Sequence, residues 1–200
     1  MLVKQLKVGT MANFVYLLVD GESREALVVD SGWETGPLAS AAAESGARVK
    51  YAVATHQHFD HVSTLDEAAK SLGAEVVAHE DSPVRADVRV TDGSELALGR
   101  SVVRVMHTPG HTDDSICLYD GAEVFTGDTL FVGSIGRFEP LDAGKMYRSL
   151  YEVILGLPGE TEMYPGHDYG GVPHRTLREE KQANPYLGFR DLRSFLSLFS

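Results

Sequence analysis

The sequence predicts a mixed α and β protein, and three features carry that expectation. Short apolar runs rich in β-branched residues recur along the chain, alanine-rich or amphipathic stretches separate them, and turn-forming residues follow several runs directly. β-Branched and aromatic side chains pack well on a pleated surface, so such runs read as strands. Alanine-rich stretches with helical spacing read as helices packed on a sheet.

In chain order, strands are expected at 14–19 and 26–29, the second ending on the turn Asp30-Ser31-Gly32. A helix at 37–45 leads to a strand at 49–54, then a helix at 63–72 and a strand at 75–78. Strands at 101–106, 116–119 and 122–125 follow, with Pro109-Gly110 after the first and Gly127-Asp128 after the last. Helices are expected at 143–155 and 174–182, with Pro165-Gly166 between them and an amphipathic tail at 192–199. Polar groups are thus presented repeatedly at strand ends.

Two hundred residues with 43% hydrophobic content suit a single domain spanning 1–200, with a core large enough to need no disulfide. Eighteen basic against 29 acidic residues give a net charge of −11, which repels a phosphate backbone and an anionic membrane surface, so neither is an expected partner. The single cysteine, Cys117, lies in an apolar run and reads as a buried thiol. The N-terminal residues MLVKQLKVGT lack the apolar stretch of a secretion signal, and no run approaches the roughly 20 apolar residues that span a bilayer. A cytoplasmic protein is expected.

The sharpest signal is Thr55-His56-Gln57-His58-Phe59-Asp60-His61, directly after the strand at 49–54. Residues i and i+2 point the same way on an extended chain, so His56 and His58 can grip one ion. Asp60 and His61 emerge as the chain turns into a helix, directed at a neighbouring position. Imidazole and carboxylate are good ligands for zinc, iron and manganese. Burying three imidazoles and a carboxylate without a metal would leave each polar group to find its own partner.

This HxHxDH run resembles that of the metallo-β-lactamase superfamily, and further motifs of that family follow in order: Thr108-Pro109-Gly110-His111-Thr112, Phe125-Thr126-Gly127-Asp128-Thr129-Leu130 and Tyr164-Pro165-Gly166-His167-Asp168. The resemblance extends from residue 14 to about 187 and implies an α/β (α+β) fold, the αββα sandwich, with two inner β-sheets and helices on the outer faces. It also implies two divalent metal ions, zinc first and iron or a mixed pair as alternatives. One ion would be held by His56, His58 and His111, the other by Asp60, His61 and His167, with Asp128 shared. Asp60 and Asp128 are the expected catalytic carboxylates, around a metal-bound hydroxide that serves as nucleophile. Asp30 matches a family aspartate near the site, as a support for the ligands or as a turn residue.

The stretch Gly136-Arg137-Phe138-Glu139, with Lys145-Met146-Tyr147-Arg148 beyond it, resembles glyoxalase II, a hydrolase of hydroxyacyl-glutathione thioesters. Arg137 and Tyr169 match substrate-binding residues there, while Glu139 stands where longer glyoxalases place an aromatic. Other stretches resemble the persulfide dioxygenases, notably His167-Asp168-Tyr169-Gly170-Gly171 and Glu179-Glu180-Lys181 with Asn184-Pro185. That likeness implies a single ferrous ion on His56, His111 and Asp128. Thioester hydrolysis ranks first because of the residues just beyond Asp128, persulfide oxidation is the alternative, and a silent metal-binding module is third. The expected partner is a small thiol-derived substrate, and a homo-oligomer stays open. His79, His107 and His174 receive no ligand role, and Trp33 is placed at the pocket mouth or in packing.

Overall fold

The structure is a computed structural model that describes residues 1–199, with side chains through Ser197. A first sheet holds β1 (Leu2–Val8), β2 (Asn13–Val19), β3 (Glu25–Val29), β4 (Arg48–Val53), β5 (Glu75–His79) and β6 (Val88–Val90) in that spatial order. Its first two pairings are antiparallel and the other three parallel. The chain then forms β7 (Glu95–Leu98), β8 (Ser101–His107), β9 (Ile116–Tyr119), β10 (Glu123–Gly127), a small hairpin of β11 (Leu130–Phe131) and β12 (Ser134–Ile135), β13 (Glu162–Pro165) and β14 (Arg175–Thr176). The second sheet has the order β14-β13-β10-β9-β8-β7, antiparallel except between β10 and β13. The helices are α1 (Gly36–Ser45), α2 (Phe59–Val62), α3 (Leu65–Leu72), α4 (Ala143–Arg148), α5 (Leu177–Ala183) and α6 (Leu192–Phe195).

The alternation of β2 explains the layering. Its odd-numbered side chains Val15, Leu17 and Val19 pack with Leu38, Ala41 and Ala42 of α1 and Leu65 and Ala69 of α3. Its even-numbered side chains Phe14, Tyr16 and Leu18 pack with Val103, Val105, Ile116, Leu118 and Phe125 of the second sheet. One strand thus faces helices on one side and a sheet on the other, as period-2 geometry requires. On the far face of the second sheet, Met106, Cys117, Val124 and Met163 pack against Met146, Leu177 and Phe195. The result is helix, sheet, sheet, helix, the αββα sandwich of the α+β class that the motifs implied.

Several elements differ from the expectation. The run LVKQLKV forms β1, an edge strand whose two lysines lowered its apolar signal. β6, β7, β13 and β14 are strands of two to four residues, too short to stand out as apolar runs in the sequence. The expected helix at 143–155 is α4 continued by a π turn at Ser149–Val153 and a 3-10 turn at Ile154–Gly156. α5 begins later than expected because Thr176 caps it while Arg175 and Thr176 still pair with β13. The tail forms α6 and a further 3-10 turn, its Phe195 buried, and the side chains of Leu198 and Phe199 lie outside the described residues. No helix among the described residues is long and apolar enough to cross a membrane.

Candidate metal centre

Strand ends from both sheets meet at one edge of the sandwich. β3 ends at Val29, so Asp30 stands beyond it at φ 57°, where its carboxylate accepts from Thr55 N at 2.7 Å and from Thr55 Oγ1 at 2.9 Å. These bonds fix the loop after β4 that carries His56 and His58 into α2, where Asp60 and His61 lie. From the second sheet, β8 leads into the turn bearing His111, β10 ends before Asp128, and β13 ends before His167.

Glycines make this convergence possible, Gly127 and Gly166 among them. Gly127 takes φ 48°, in the left-handed region open to glycine at little cost, and the β10–β13 register shifts there. A Cβ on Gly166 would stand 2.4 Å from Asp128 Oδ1, so only glycine lets the His167 turn close on the aspartate. Gly166 N then bonds Gly127 O at 2.8 Å and joins the two turns.

All seven residues expected at the centre come together. His56, His58 and His111 form one group, His56, His61 and Asp128 a second, and Asp60, His61 and His167 a third, each with donor atoms within 4.8 Å of one another. Asp128 is central: its Oδ2 lies 4.0 Å from His56 Nε2, 3.5 Å from His111 Nε2 and 3.4 Å from His167 Nε2. Asp60 Oδ2 lies 3.4 Å from His167 Nε2 and 3.5 Å from His61 Nε2.

The hydrogen bonds around the cluster test whether a cation suits it. His111 Nδ1 donates to Arg137 O at 2.7 Å, and His167 Nδ1 to Met11 O at 2.9 Å. His61 Nδ1 lies 2.7 Å from Asp30 Oδ2, and His56 Nδ1 lies 3.0 Å from Thr55 Oγ1, whose own hydrogen goes to Asp30. Each of these rings spends its Nδ1 hydrogen outward, so in its neutral form Nε2 turns a lone pair into the cluster. His61 Nε2 and His167 Nε2 then face each other at 3.1 Å, while His58 Nδ1 faces His56 Nε2 at 3.0 Å and His111 Nε2 at 2.9 Å. Facing lone pairs repel unless a proton or a cation lies between them. Asp128 Oδ1 is buried with no aligned donor, although His61 Nε2 is 3.3 Å away. The donor set therefore fits divalent ions.

Electrostatics agree. Burial holds the His56 imidazole well below its ordinary range, and burial likewise lowers His111. For His61 burial also acts downward, but the Asp30 and Asp128 carboxylates outweigh it and hold the ring well above its usual value. Burial would raise Asp128, yet His61 and His167 hold it well below the carboxylate range. A buried field that retains a proton on His61 also favours a cation.

The two expected substrate residues lie at the margin. Arg137 lines a cleft of about 270 Å³ with His58, His111, Phe138, Glu139 and Asp142. Tyr169, 55% exposed, stacks on the His167 ring at 4.6 Å and meets Phe131 edge-on at 5.1 Å. His79 and His107 stack on each other at 4.0 Å, and His174 pairs with Glu162; none joins the cluster. Sequence reading missed Asn13. Its Nδ2 donates to Asp60 Oδ2 at 2.8 Å while its Oδ1 accepts from Trp33 Nε1 at 2.8 Å, so Trp33 holds the residue that orients Asp60. A lone asparagine opening a strand carries no signal of this kind; only the approach of β2 to α2 reveals it.

The comparisons with known proteins follow the same lines. The sequence profile of the metallo-beta-lactamase superfamily matches residues 8–183. The chain is 38% identical over 193 residues to the mitochondrial persulfide dioxygenase ETHE1 of Homo sapiens, covering 93% of this chain and 76% of that one. It is 38% identical over 160 residues to the hydroxyacylglutathione hydrolase of Anaeromyxobacter dehalogenans, covering 78% of this chain and 62% of the hydrolase. Among solved structures, ETHE1 from Myxococcus xanthus superposes with a TM-score of 0.91 at 35% identity, covering 99% of this chain and 89% of that one. With its ordered motifs, its αββα architecture and its histidine and aspartate cluster, the chain belongs to the metallo-beta-lactamase superfamily, in the branch of the persulfide dioxygenases and glyoxalase II-like hydrolases.

Proposed function

We propose that this protein is a persulfide dioxygenase that binds one ferrous ion on His56, His111 and Asp128. The observation that carries the reading is the breadth of the likeness: the dioxygenase match spans 93% of the chain, whereas the hydrolase match of equal identity spans 78%. That reverses the ranking drawn from Gly136-Arg137-Phe138-Glu139 alone. A two-histidine, one-carboxylate face leaves open positions for substrate and oxygen, and bound iron(II) would supply activation of dioxygen and a contact for the substrate sulfur.

The overall chemistry balances as R–S–SH + O2 giving R–S–SO2H, which water cleaves to R–SH and sulfite. Four electrons pass from sulfur to dioxygen. The residues of the chain provide orientation. Arg137 O and Thr55 Oγ1 fix the rings of His111 and His56, and Asp128 reaches both. The substrate is a small thiol-derived persulfide entering by the cleft that His58 and His111 line. A cytoplasmic location is part of the proposal; the name of the human relative assigns that protein to mitochondria, and fractionation of the source cells distinguishes the two.

The test is oxygen uptake by anaerobically iron-loaded protein on addition of a persulfide, against a zinc-loaded control. Rapid uptake confined to the iron form is expected. No uptake by protein of verified iron content would overturn the proposal and favour the second reading, two-metal thioester hydrolysis. That reading draws on the complete group of Asp60, His61 and His167 beside the first one.

A further inference from the structure

One short segment holds two of the three side chains in the group of Asp60, His61 and His167. Met11 O accepts from His167 Nδ1 at 2.9 Å, while Asn13 Nδ2 donates to Asp60 Oδ2 at 2.8 Å and to Asp60 O at 3.2 Å. The backbone ties the same segment to the His167 turn, because Asp168 N bonds Ala12 O and Phe14 N bonds Gly166 O, each at 2.8 Å. Between these contacts Ala12 stands at φ 60°, a left-handed conformation that a residue with a Cβ rarely takes. The first group is oriented by other residues, His56 by Thr55 and His111 by the Arg137 carbonyl.

Trp33 determines which way Asn13 faces. The two ends of an amide are alike in shape, but the oxygen only accepts and the nitrogen only donates. The indole Nε1 can only donate, so at 2.8 Å it requires Oδ1 on its side and sends Nδ2 to Asp60. A reversed amide would set Oδ1 against the Asp60 carboxylate. Asn13 is 1% exposed, so losing either partner would leave a buried polar group unmatched. Trp33 is itself held: its N donates to Ser63 Oγ at 2.9 Å, and a Cβ on Gly9 would come within 2.2 Å of its ring. Its φ is 71°, so the assembly contains two left-handed residues other than glycine. Such strain persists where the surroundings over-determine the backbone, and it concentrates at functional sites.

We propose that Asn13, its amide direction set by Trp33, is a positioning residue that sets the affinity for a second divalent ion on Asp60, His61 and His167, separately from the position on His56, His111 and Asp128. A carboxylate already fixed by a neutral donor keeps its charge and loses little freedom when it takes up a cation. The inference stands on the ligand geometry and goes beyond the dioxygenase reading, which it does not require.

The test is equilibrium dialysis of metal-free protein against buffered zinc, with bound metal counted by atomic emission. Trp33, the single tryptophan of the chain, is followed by fluorescence in parallel. The parent should bind two equivalents, and the emission should change with one of them. Asn13→Leu should weaken that equivalent about 10- to 100-fold and leave the other at parent affinity. Trp33→Phe removes the N–H while keeping an aromatic ring beside Phe59, and should weaken the same equivalent by a smaller factor. Because Trp33 acts through Asn13, the double variant should match Asn13→Leu. If Asn13→Leu does not fold, the split between the two equivalents in Trp33→Phe decides. A single equivalent in the parent, equal weakening of both equivalents, unchanged binding in the variants, or additive losses in the double variant would each overturn the proposal. Binding is read without turnover, so these outcomes are independent of whether persulfide is oxidised.

Discussion

Two imidazoles of the cluster are driven in opposite directions by their surroundings. Burial leaves His56 neutral, whereas the carboxylates of Asp30 and Asp128 keep His61 charged in the metal-free protein despite equal burial. A raised folded-state value means that the contribution of His61 to stability is complete below its unfolded value of about 6.5 and is lost as pH rises through the folded value. Replacing Asp30 by Asn removes one of the two charges and keeps an acceptor near Nδ1. Metal-free Asp30→Asn protein should therefore lose less stability above about pH 6.5 than the parent, read from urea unfolding at several pH values. The same substitution loosens the orientation of His61 and of the Thr55 loop, so metal affinity should fall about 10- to 100-fold in chelator competition, and unchanged affinity would remove Asp30 from the support of the centre. Cys117, fully buried, has its thiol pushed up to about 11 by burial, and should react with a thiol reagent at pH 8 only after unfolding. At this scale the run from His56 to His61 was legible through its spacing, His111, Asp128 and His167 only through the resemblance of ordered motifs to a known family, and the buried thiol through an apolar run. Asn13 was not, because its role depends on what stands opposite it in space.

Among the elements, α5 shows how a local signal and a long-range tie combine. Thr176 accepts from Glu179 N while Glu179 returns to Thr176 N, a reciprocal cap that satisfies two terminal groups. Thr176→Ala should cost about 1 kcal/mol, seen as a lower urea midpoint at unchanged slope; an unaltered midpoint would show that packing alone starts the helix. From the same helix the buried Glu180 accepts from Gly133 N at 2.6 Å and from Asn184 Nδ2 at 2.7 Å, which ties α5 to the hairpin of β11 and β12. Glu179 and Glu180 adjoin in sequence, yet one caps at the surface and the other anchors a hairpin in the interior. Periodicity placed the helix; it carried no information on which glutamate would be buried. The edge strand β1 was lost for a related reason, since its lysines are tolerated only because no sheet neighbour covers that edge.

For the molecule as a whole, the layer between the sheets decides whether strand ends from both sheets stay aligned. Leu18 is fully buried there, and Leu18→Ala should cost about 2–5 kcal/mol, measured by denaturant unfolding; a loss under about 1 kcal/mol would mean that the interface relaxes around the void. Strand positions in the central elements, the kinds of donor atom and their spacing within each loop were determined by the sequence alone, because period-2 burial and covalent spacing act within a few residues. Only the tertiary structure decided that His56, His111, Asp128 and His167 meet, that Asn13 reaches Asp60, and that Arg137 stands exposed beside Glu139. Those outcomes depend on how two sheets pack and which loops their edges bring together, and the forces involved join residues far apart in the chain.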